Sequence, residues 1–263
     1  MPLEKSEAVI LKMFNWSESS RTVLFFTHDH GKLPLVDKGG RSIKSKRGRL
    51  QQFARLEMTF YSSQKESSGY VSDCELLEVF PMEAEGELGR LAYGSAACEL
   101  LYLLLPENEA QSGLYAYFVS YLRKLGKVEK RYLPAVFLAF FLRTISLLGY
   151  HPSISYCVGC NKEVSAFGES AGHYRFSPER GGLVCPSCQK PGEYYIPLSA
   201  EGLRVLTILQ QASLDEAATV PIGFQEASLL VEILANFLKY HSGLVSDLKS
   251  VAFLEKLKKS QPD

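Results

Sequence analysis

The sequence predicts an α+β protein with two domains, a small β-barrel in residues 1–80 and an α-helical domain in residues 81–263. Three observations predict this class. Short runs with strand patterns fill the first 80 residues, longer runs with helical patterns follow, and residues 151–195 interrupt the helices with two Cys-x-x-Cys pairs. The composition, 46% hydrophobic and 22% charged, is typical of a globular protein.

The N-terminal region is predicted to form a barrel because its strands are short and closely spaced. Five runs have strand length: 8–14, 21–27, 32–36, 56–60 and 70–80. A turn signal at residues 29–31 separates the second run from the third, and Pro34 favours a sheet edge for the third. Five short strands in 80 residues indicate a small barrel, and the OB-fold is one such architecture.

The second domain is predicted to be helical. Its helices are expected at residues 88–105, 114–125, 134–148, 200–211, 230–241 and 245–259. Pro134 suits a first helical position, Gly149 a C-terminal cap and Ser199 an N-terminal cap. The helix at 134–148 is apolar on nearly all sides, which predicts a buried central helix.

The two cysteine pairs predict a metal site. Cys157 and Cys160 form one Cys-x-x-Cys turn, and Cys185 and Cys188 form another after 24 intervening residues. Two such turns brought together offer four thiolates in a tetrahedral arrangement, which suits Zn²⁺. With four protein ligands no coordination position stays open for a substrate, so one structural zinc ion per chain is expected.

Paired cysteines are also compatible with chemistry other than zinc binding. An iron–sulfur cluster, a redox pair or disulfides would use the same residues, although a reducing compartment favours metal over disulfides. His173 lies between the pairs and is a further possible ligand, but four cysteines already complete a site. Cys74 and Cys98 stand alone and are expected to be ordinary buried or half-buried thiols.

A strongly basic segment follows the third predicted strand. The chain as a whole has no net charge, which by itself argues against a nucleic-acid binder, yet residues 32–55 hold eight cations and one carboxylate, Asp37, for a local charge of +7. The cations are Lys32, Lys38, Arg41, Lys44, Lys46, Arg47, Arg49 and Arg55. Interspersed Gly and Ser predict a flexible loop in which phosphates can be approached closely.

The same segment is also compatible with a simpler role as a solvated loop without a partner. Its place on a barrel favours nucleic acid, and stacking aromatics would strengthen that hypothesis. The aromatics near it are Phe14, Trp16, Phe25, Phe26, Phe53, Phe60 and Tyr61, most of which are expected to lie in the core.

The sequence carries no recognisable catalytic motif, so a non-enzymatic role is expected. It has no phosphate-binding G-x-x-x-x-G-K-[ST] loop, no H-E-x-x-H, no G-x-S-x-G and no dinucleotide fingerprint. The N-terminus lacks a secretory pattern, and the longest apolar run, 135–142, is too short to span a bilayer. A cytoplasmic protein is therefore expected.

Several segments in the right order resemble the RecO family of bacterial DNA-repair proteins. They are WSESS at 16–20, LVDKGGR at 35–41, LQQF at 50–53, LLGYHP at 147–152 leading to Cys157, GGLVC at 181–185, YHSG at 240–243 and LKS at 248–250. Each segment is weakly specific except the cysteines, and the match rests on their common order along nearly the whole chain.

The resemblance implies an N-terminal OB-fold, a helical domain and a four-cysteine zinc module. It also implies binding of single- and double-stranded DNA, annealing of complementary strands and help in loading RecA. The implied partners are RecR and single-stranded-DNA-binding protein, with RecF and RecA as indirect ones. The alternative is a zinc-ribbon scaffold or regulatory protein that binds only protein partners.

Overall fold

A computed structural model of the chain describes residues 2–15, 18–40, 50–62, 69–82, 88–167, 173–243 and 248–250. The chain forms two compact units, residues 1–127 and 128–263. The first unit contains the strands of the N-terminal region and the first two helices. The sequence-based domain boundary after residue 80 marks the change from strands to helices, whereas the two units divide after residue 127. The domain boundary stays a prediction.

The first unit is built on a closed five-stranded barrel. Its strands are β1 (Leu3–Asn15), β2 (Arg21–Thr27), β3 (Gly31–Asp37), β4 (Ala54–Tyr61) and β5 (Gly69–Val79). They pair in the order β1-β2-β3-β5-β4, with β3 and β5 parallel and the other pairs antiparallel. This is the strand order of an OB-fold, so the predicted barrel and its class are confirmed.

The barrel follows from the alternation of its strands. In β4 every second residue is buried, from Ala54 to Phe60, and the residues between them face outwards. Gly31, at φ +66°, makes the turn from β2 to β3, where a side chain would overlap the backbone of Glu109. Pro34 pairs with Leu24 of β2, and it lies before the residues of β3 that pair with β5, so its missing N–H interrupts no bond there.

Two helices complete the first unit. They are α1 (Leu88–Leu104) and α2 (Ser112–Leu125), close to the predicted bounds. Buried residues of these helices pack on the barrel: the Phe26 ring lies 5.4 Å from that of Tyr115, and Phe53 lies against Gly94.

Within the described residues, the second unit combines α-helices with a small sheet. Its helices are α3 (Leu133–Leu147), α4 (Ala200–Gln211), α5 (Leu214–Ala217) and α6 (Phe224–His241), and its strands are β6 (His173–Ser177), β7 (Gly182–Val184) and β8 (Ile196–Ser199). The sheet has the order β7-β6-β8. The predicted last helix, 245–259, lies outside the described residues except for 248–250.

The central position predicted for α3 is confirmed. Helices α4, α5 and α6 all pack against it, and most of its side chains are buried. Its caps also agree with the sequence: Pro134 stands in the first turn, and Gly149 follows the helix at φ +90°. The Ser199 hydroxyl accepts the N–H of Gly202 at 2.8 Å, which makes Ser199 the N-cap of α4.

Candidate metal centre and nucleic-acid interface

The four predicted cysteine ligands meet in the second unit. The Sγ atoms of Cys157, Cys160, Cys185 and Cys188 all lie within 4.8 Å of one another. The Sγ atoms of Cys160 and Cys185 are 3.7 Å apart. Sulfurs placed tetrahedrally at about 2.3 Å from Zn²⁺ would be about 3.8 Å apart. The cluster therefore has the dimensions of a closed four-sulfur site.

Tight turns hold each pair of cysteines. In the first turn, the N–H of Asn161 donates to the carbonyl of Cys157 at 2.8 Å, and Asn161 has φ +58°. The N–H of Cys157 donates to the carbonyl of Lys162 at 2.9 Å, which closes the loop. In the second turn, the N–H of Cys188 donates to the carbonyl of Cys185 at 2.9 Å. Each turn thus directs two sulfurs towards the same point.

The surroundings of Cys157 favour its thiolate form. Burial alone would raise the pKa of this thiol, but backbone N–H groups, first that of Cys185 and then those of Gly159 and Cys160, bring its pKa down to about 6. In contrast, the neighbouring sulfurs of Cys185 and Cys160 raise the pKa of Cys188 to about 12. Four adjacent thiols cannot all ionise unless a cation compensates their charge, which is the condition that a divalent metal meets.

Contacts around the cluster fix its shape. At Gly159 a Cβ would lie 2.6 Å from Nη2 of Arg180 and 2.9 Å from Sγ of Cys188, so only glycine fits there. Arg180 donates through Nη1 to the carbonyl of Cys188 at 3.1 Å and lies 3.6 Å from Glu193. The sequence-based prediction missed the supporting roles of Gly159 and Arg180. The glycine inside the Cys-x-x-Cys turn was the one available signal.

The cysteines themselves form much of the local core. Cys157 and Cys185 are buried with Val184, while Cys160 is exposed. The side chain of His173 lies outside the described residues. Cys74 and Cys98 are both buried in the first unit, as predicted, and burial raises the pKa of the Cys98 thiol to about 12.

The predicted basic segment is divided in the structure. Lys32 lies within the first unit, where its ammonium donates to the carbonyl of Tyr102 at 3.1 Å. Burial lowers the pKa of Lys32, and the carboxylate of Glu107 opposes that change. The only negative residue of the segment, Asp37, is fully buried and pairs with Arg21 at 2.9 Å. Its charge is therefore held inside the first unit and not displayed beside the exposed Lys38.

Arg55 is also engaged inside the first unit. Its Nη1 donates to the carboxylate of Glu7 at 3.1 and 3.2 Å, and its Nε lies 3.4 Å from Glu78. Glu78 in turn accepts two bonds from Arg123, and these lower the pKa of Glu78. Arg55 thus belongs to an ion-pair network of β1, β5 and α2.

Lys38 is the exposed cation of the segment within the described residues. Arg41, Lys44, Lys46, Arg47 and Arg49 lie outside them. DNA contact by the eight cations stays a prediction, and the geometry favours Lys38 over Lys32 and Arg55 for such a role.

The aromatic residues near the segment divide as the sequence predicts. Phe25, Phe26, Phe53 and Phe60 are buried, whereas Phe14 is exposed and Tyr61 half-buried. Trp16 lies outside the described residues. The sequence-based prediction missed Tyr70, which pairs with Tyr61 across β4 and β5.

Comparison with known proteins decides the family. The profile described as "Recombination protein O N terminal" matches residues 1–80, and that described as "Recombination protein O C terminal" matches residues 85–251. The chain belongs to the RecO family. Among curated relatives, the DNA repair protein RecO of Symbiobacterium thermophilum is 28% identical over 99% of this chain and 100% of the relative.

Further relatives match over a similar length. The DNA repair protein RecO of Desulforudis audaxviator is 30% identical over 96% of both chains. That of Listeria monocytogenes (strain F2365) is 25% identical over 98% of this chain and 96% of the relative. The resemblance to the RecO family seen in the sequence is thus confirmed over nearly the full chain. Within the described residues, no helix has both the length and the hydropathy needed to cross a bilayer.

Proposed function

We propose that this chain is a DNA-binding recombination mediator that binds single- and double-stranded DNA, anneals complementary strands and assists RecA loading together with RecR. One observation carries the proposal: this member of a family of recombination proteins has six cations and no carboxylate in residues 38–53, between β3 and β4 of an OB-type barrel. Single-stranded-DNA-binding protein is the further direct partner, and RecF and RecA are indirect ones. The role is non-catalytic.

The proposed cofactor is one structural Zn²⁺ per chain, held by Cys157, Cys160, Cys185 and Cys188. Support comes from the 3.7 Å sulfur separation and from the N–H groups that stabilise the Cys157 thiolate. Four thiolates complete the coordination, so the ion would order the turns around it and leave no position for a substrate. An iron–sulfur cluster remains the alternative that metal analysis distinguishes.

The charge distribution along the sequence supports phosphate contact by the cations of residues 38–49. Phosphate contacts carry no base identity, so they provide affinity for any strand. With Lys32 and Arg55 engaged in the fold, the binding charge is assigned to Lys38, Arg41, Lys44, Lys46, Arg47 and Arg49. Lys38 lies directly after β3, and the other five follow in the same connection.

The test is the salt dependence of single-strand binding. Lys38, Arg41, Lys44, Arg47 and Arg49 are changed together to Gln. If about four of them contact phosphates, the slope of log K against log salt becomes less steep by roughly three, at about 0.7 per contact. Binding should weaken about equally for all sequences, and the annealing rate, measured with and without single-stranded-DNA-binding protein, should fall in parallel.

The matched control neutralises exposed cations elsewhere: Lys127, Lys130, Arg131 and Arg175. This variant should keep the affinity and the salt slope. If the slope changes in the control variant and not in the barrel variant, the main contacts lie outside the N-terminal segment. A wild-type protein that binds RecR but no DNA would instead support the protein-scaffold alternative.

A further inference from the structure

Two tyrosines stack on the outside of the barrel. Tyr61 ends β4 and Tyr70 lies at the start of β5, and the two residues are paired in register. Their ring centroids are 4.7 Å apart, with 28° between the ring planes. Their neighbours Phe60 and Val71 are buried in the core, so the tyrosines face outwards, where both are half-buried. The rings are thus displayed beside solvent.

A cation accompanies this aromatic pair. The ammonium of Lys38 lies 4.8 Å from the ring centroid of Tyr70. Lys38 and Tyr70 lie close together because Val36, two residues before Lys38, pairs with Tyr70 where β3 and β5 close the barrel. Lys38 is exposed and is the first cation that follows β3. The stacked rings therefore lie at the point where the chain enters the basic connection.

We propose that Tyr61, Tyr70 and Lys38 form a stacking site for one base of a single-stranded nucleic acid. The inference rests on the proposed function and adds a base contact to its phosphate contacts. Proteins that bind single strands combine a positively charged path for the backbone with aromatic rings on which bases stack. Here both elements adjoin, and the six cations of residues 38–49, with no carboxylate among them, favour an anionic strand over an apolar protein segment.

Lys38 has a defined part in this site. Its ammonium lies over the ring of Tyr70, the position that a base would take. An exposed contact between an ammonium and an aromatic ring is weaker than the stacking of a base on such a ring. A base therefore displaces the ammonium, whose flexible side chain then pairs with the adjacent phosphate.

The cross-strand pair also has a structural role, because stacked aromatics on neighbouring strands stabilise a sheet. A stability measurement alone does not separate the two roles. The measurement that distinguishes base stacking from a structural role is how much the affinity depends on the presence of bases. It is obtained from two probes of equal length and equal phosphate number, a thymidine oligonucleotide and its abasic analogue.

The variants are Tyr70→Ala, Tyr70→Phe and Tyr240→Ala. Tyr70→Phe keeps the ring, and Tyr240→Ala removes an exposed tyrosine of α6 as the matched control. Tyr70→Ala should weaken binding of the thymidine strand by about fivefold or more and leave the abasic strand nearly unchanged. Tyr70→Phe and Tyr240→Ala should bind both strands as the wild type does. Lys38→Gln should weaken binding of both strands.

The outcomes separate the inference from the function on which it rests. If Tyr70→Ala weakens both strands equally, or neither, while Tyr70→Phe folds and binds normally, the stacking site is wrong and the DNA-binding function stands. If the wild-type protein binds neither strand, the proposed function fails and the stacking site fails with it. Should Tyr70→Ala not fold, Tyr61→Ala and Tyr70→Leu give the same comparison.

Discussion

The barrel and the cysteine module, residues 151–195, are stabilised by different interactions. The barrel buries Ile10, Phe25, Leu35, Leu56 and Phe60 in a continuous hydrocarbon core. Among the described residues of 151–195, the sulfurs lie in a small separate cluster whose buried members are Cys157, Val184 and Cys185. Phe176 and Leu183 of the adjoining sheet are also buried, so a bound metal would add to packing in this region and not replace it.

The difference indicates which interactions stabilise each region. Alternating residues specify the barrel, and any side chain there contributes only a share of a large core. The cysteine turns of the module depend on a few sulfur atoms, and a bound metal would add to the stabilisation that packing provides there. Substitutions in the two regions should therefore differ in size and in kind.

The largest effect is expected from loss of the metal ligands. Cys157→Ser should abolish metal binding and leave residues 151–195 open to proteases, because isolated structural zinc sites contribute on the order of 10 kcal/mol to folding. Native protein should contain about one zinc per chain by elemental analysis. Limited proteolysis with mass mapping locates the opened segment, and the barrel should stay resistant.

The control for this prediction is Cys74→Ala, which removes a buried thiol from the barrel. It should keep the full metal content and the protease pattern of the native module. Metal-free protein with a protease-resistant module would overturn the comparison, and iron in place of zinc would change the identity of the ion.

A smaller effect is expected in the barrel core. Phe25→Ala should lower the free energy of unfolding by about 3–5 kcal/mol, because Phe25 is fully buried and the truncation leaves a cavity. The metal content should not change. Phe14→Ala, an exposed position on β1, should cost about 1 kcal/mol or less. Denaturant titration measures both variants, and equal losses would contradict the assigned core.

The smallest effect is expected where the module's sheet meets α4. Ser199→Ala removes the hydroxyl that caps α4 and donates to Glu226 at 2.7 Å, which should cost about 1 kcal/mol. Ser120→Ala in α2 should be neutral or slightly stabilising, since that hydroxyl bonds only within its own helix, to the carbonyl of Ala116. Thermal unfolding compares the pair. A change in zinc content of Ser199→Ala would show that the sheet and the metal site are one cooperative unit.

Much of the fold could be predicted from local patterns. The predicted strand at 56–60 lies within β4, the predicted helix at 88–105 ends one residue after α1, and Ser199 marked the start of α4. These signals succeed because period and capping act over a few residues. The cysteine site could be predicted for the same reason, since each Cys-x-x-Cys turn is local and two turns suffice to define four ligands.

The remainder depends on contacts between distant segments. Lys32 has the sequence position of a cation in the basic segment, but its partner Tyr102 lies 70 residues away in sequence. Arg55 pairs with Glu7, which the sequence does not connect to it until β1 and β4 are in register. Tyr70 could not be predicted for the same reason, because strand register decides which residue stands beside Tyr61.

The closure of the barrel has a consequence for its internal motion. Among the described residues, β3 and β5 pair only through Leu35 with Gly69 and Val36 with Tyr70, whereas β2 and β3 pair along their full length. Transient opening of the barrel therefore requires the fewest broken hydrogen bonds at this seam. The seam adjoins both the stacked tyrosines and the start of the basic connection. Single-stranded DNA that contacted both β3 and β5 would hold the two strands together, so bound DNA would slow the transient opening of the barrel.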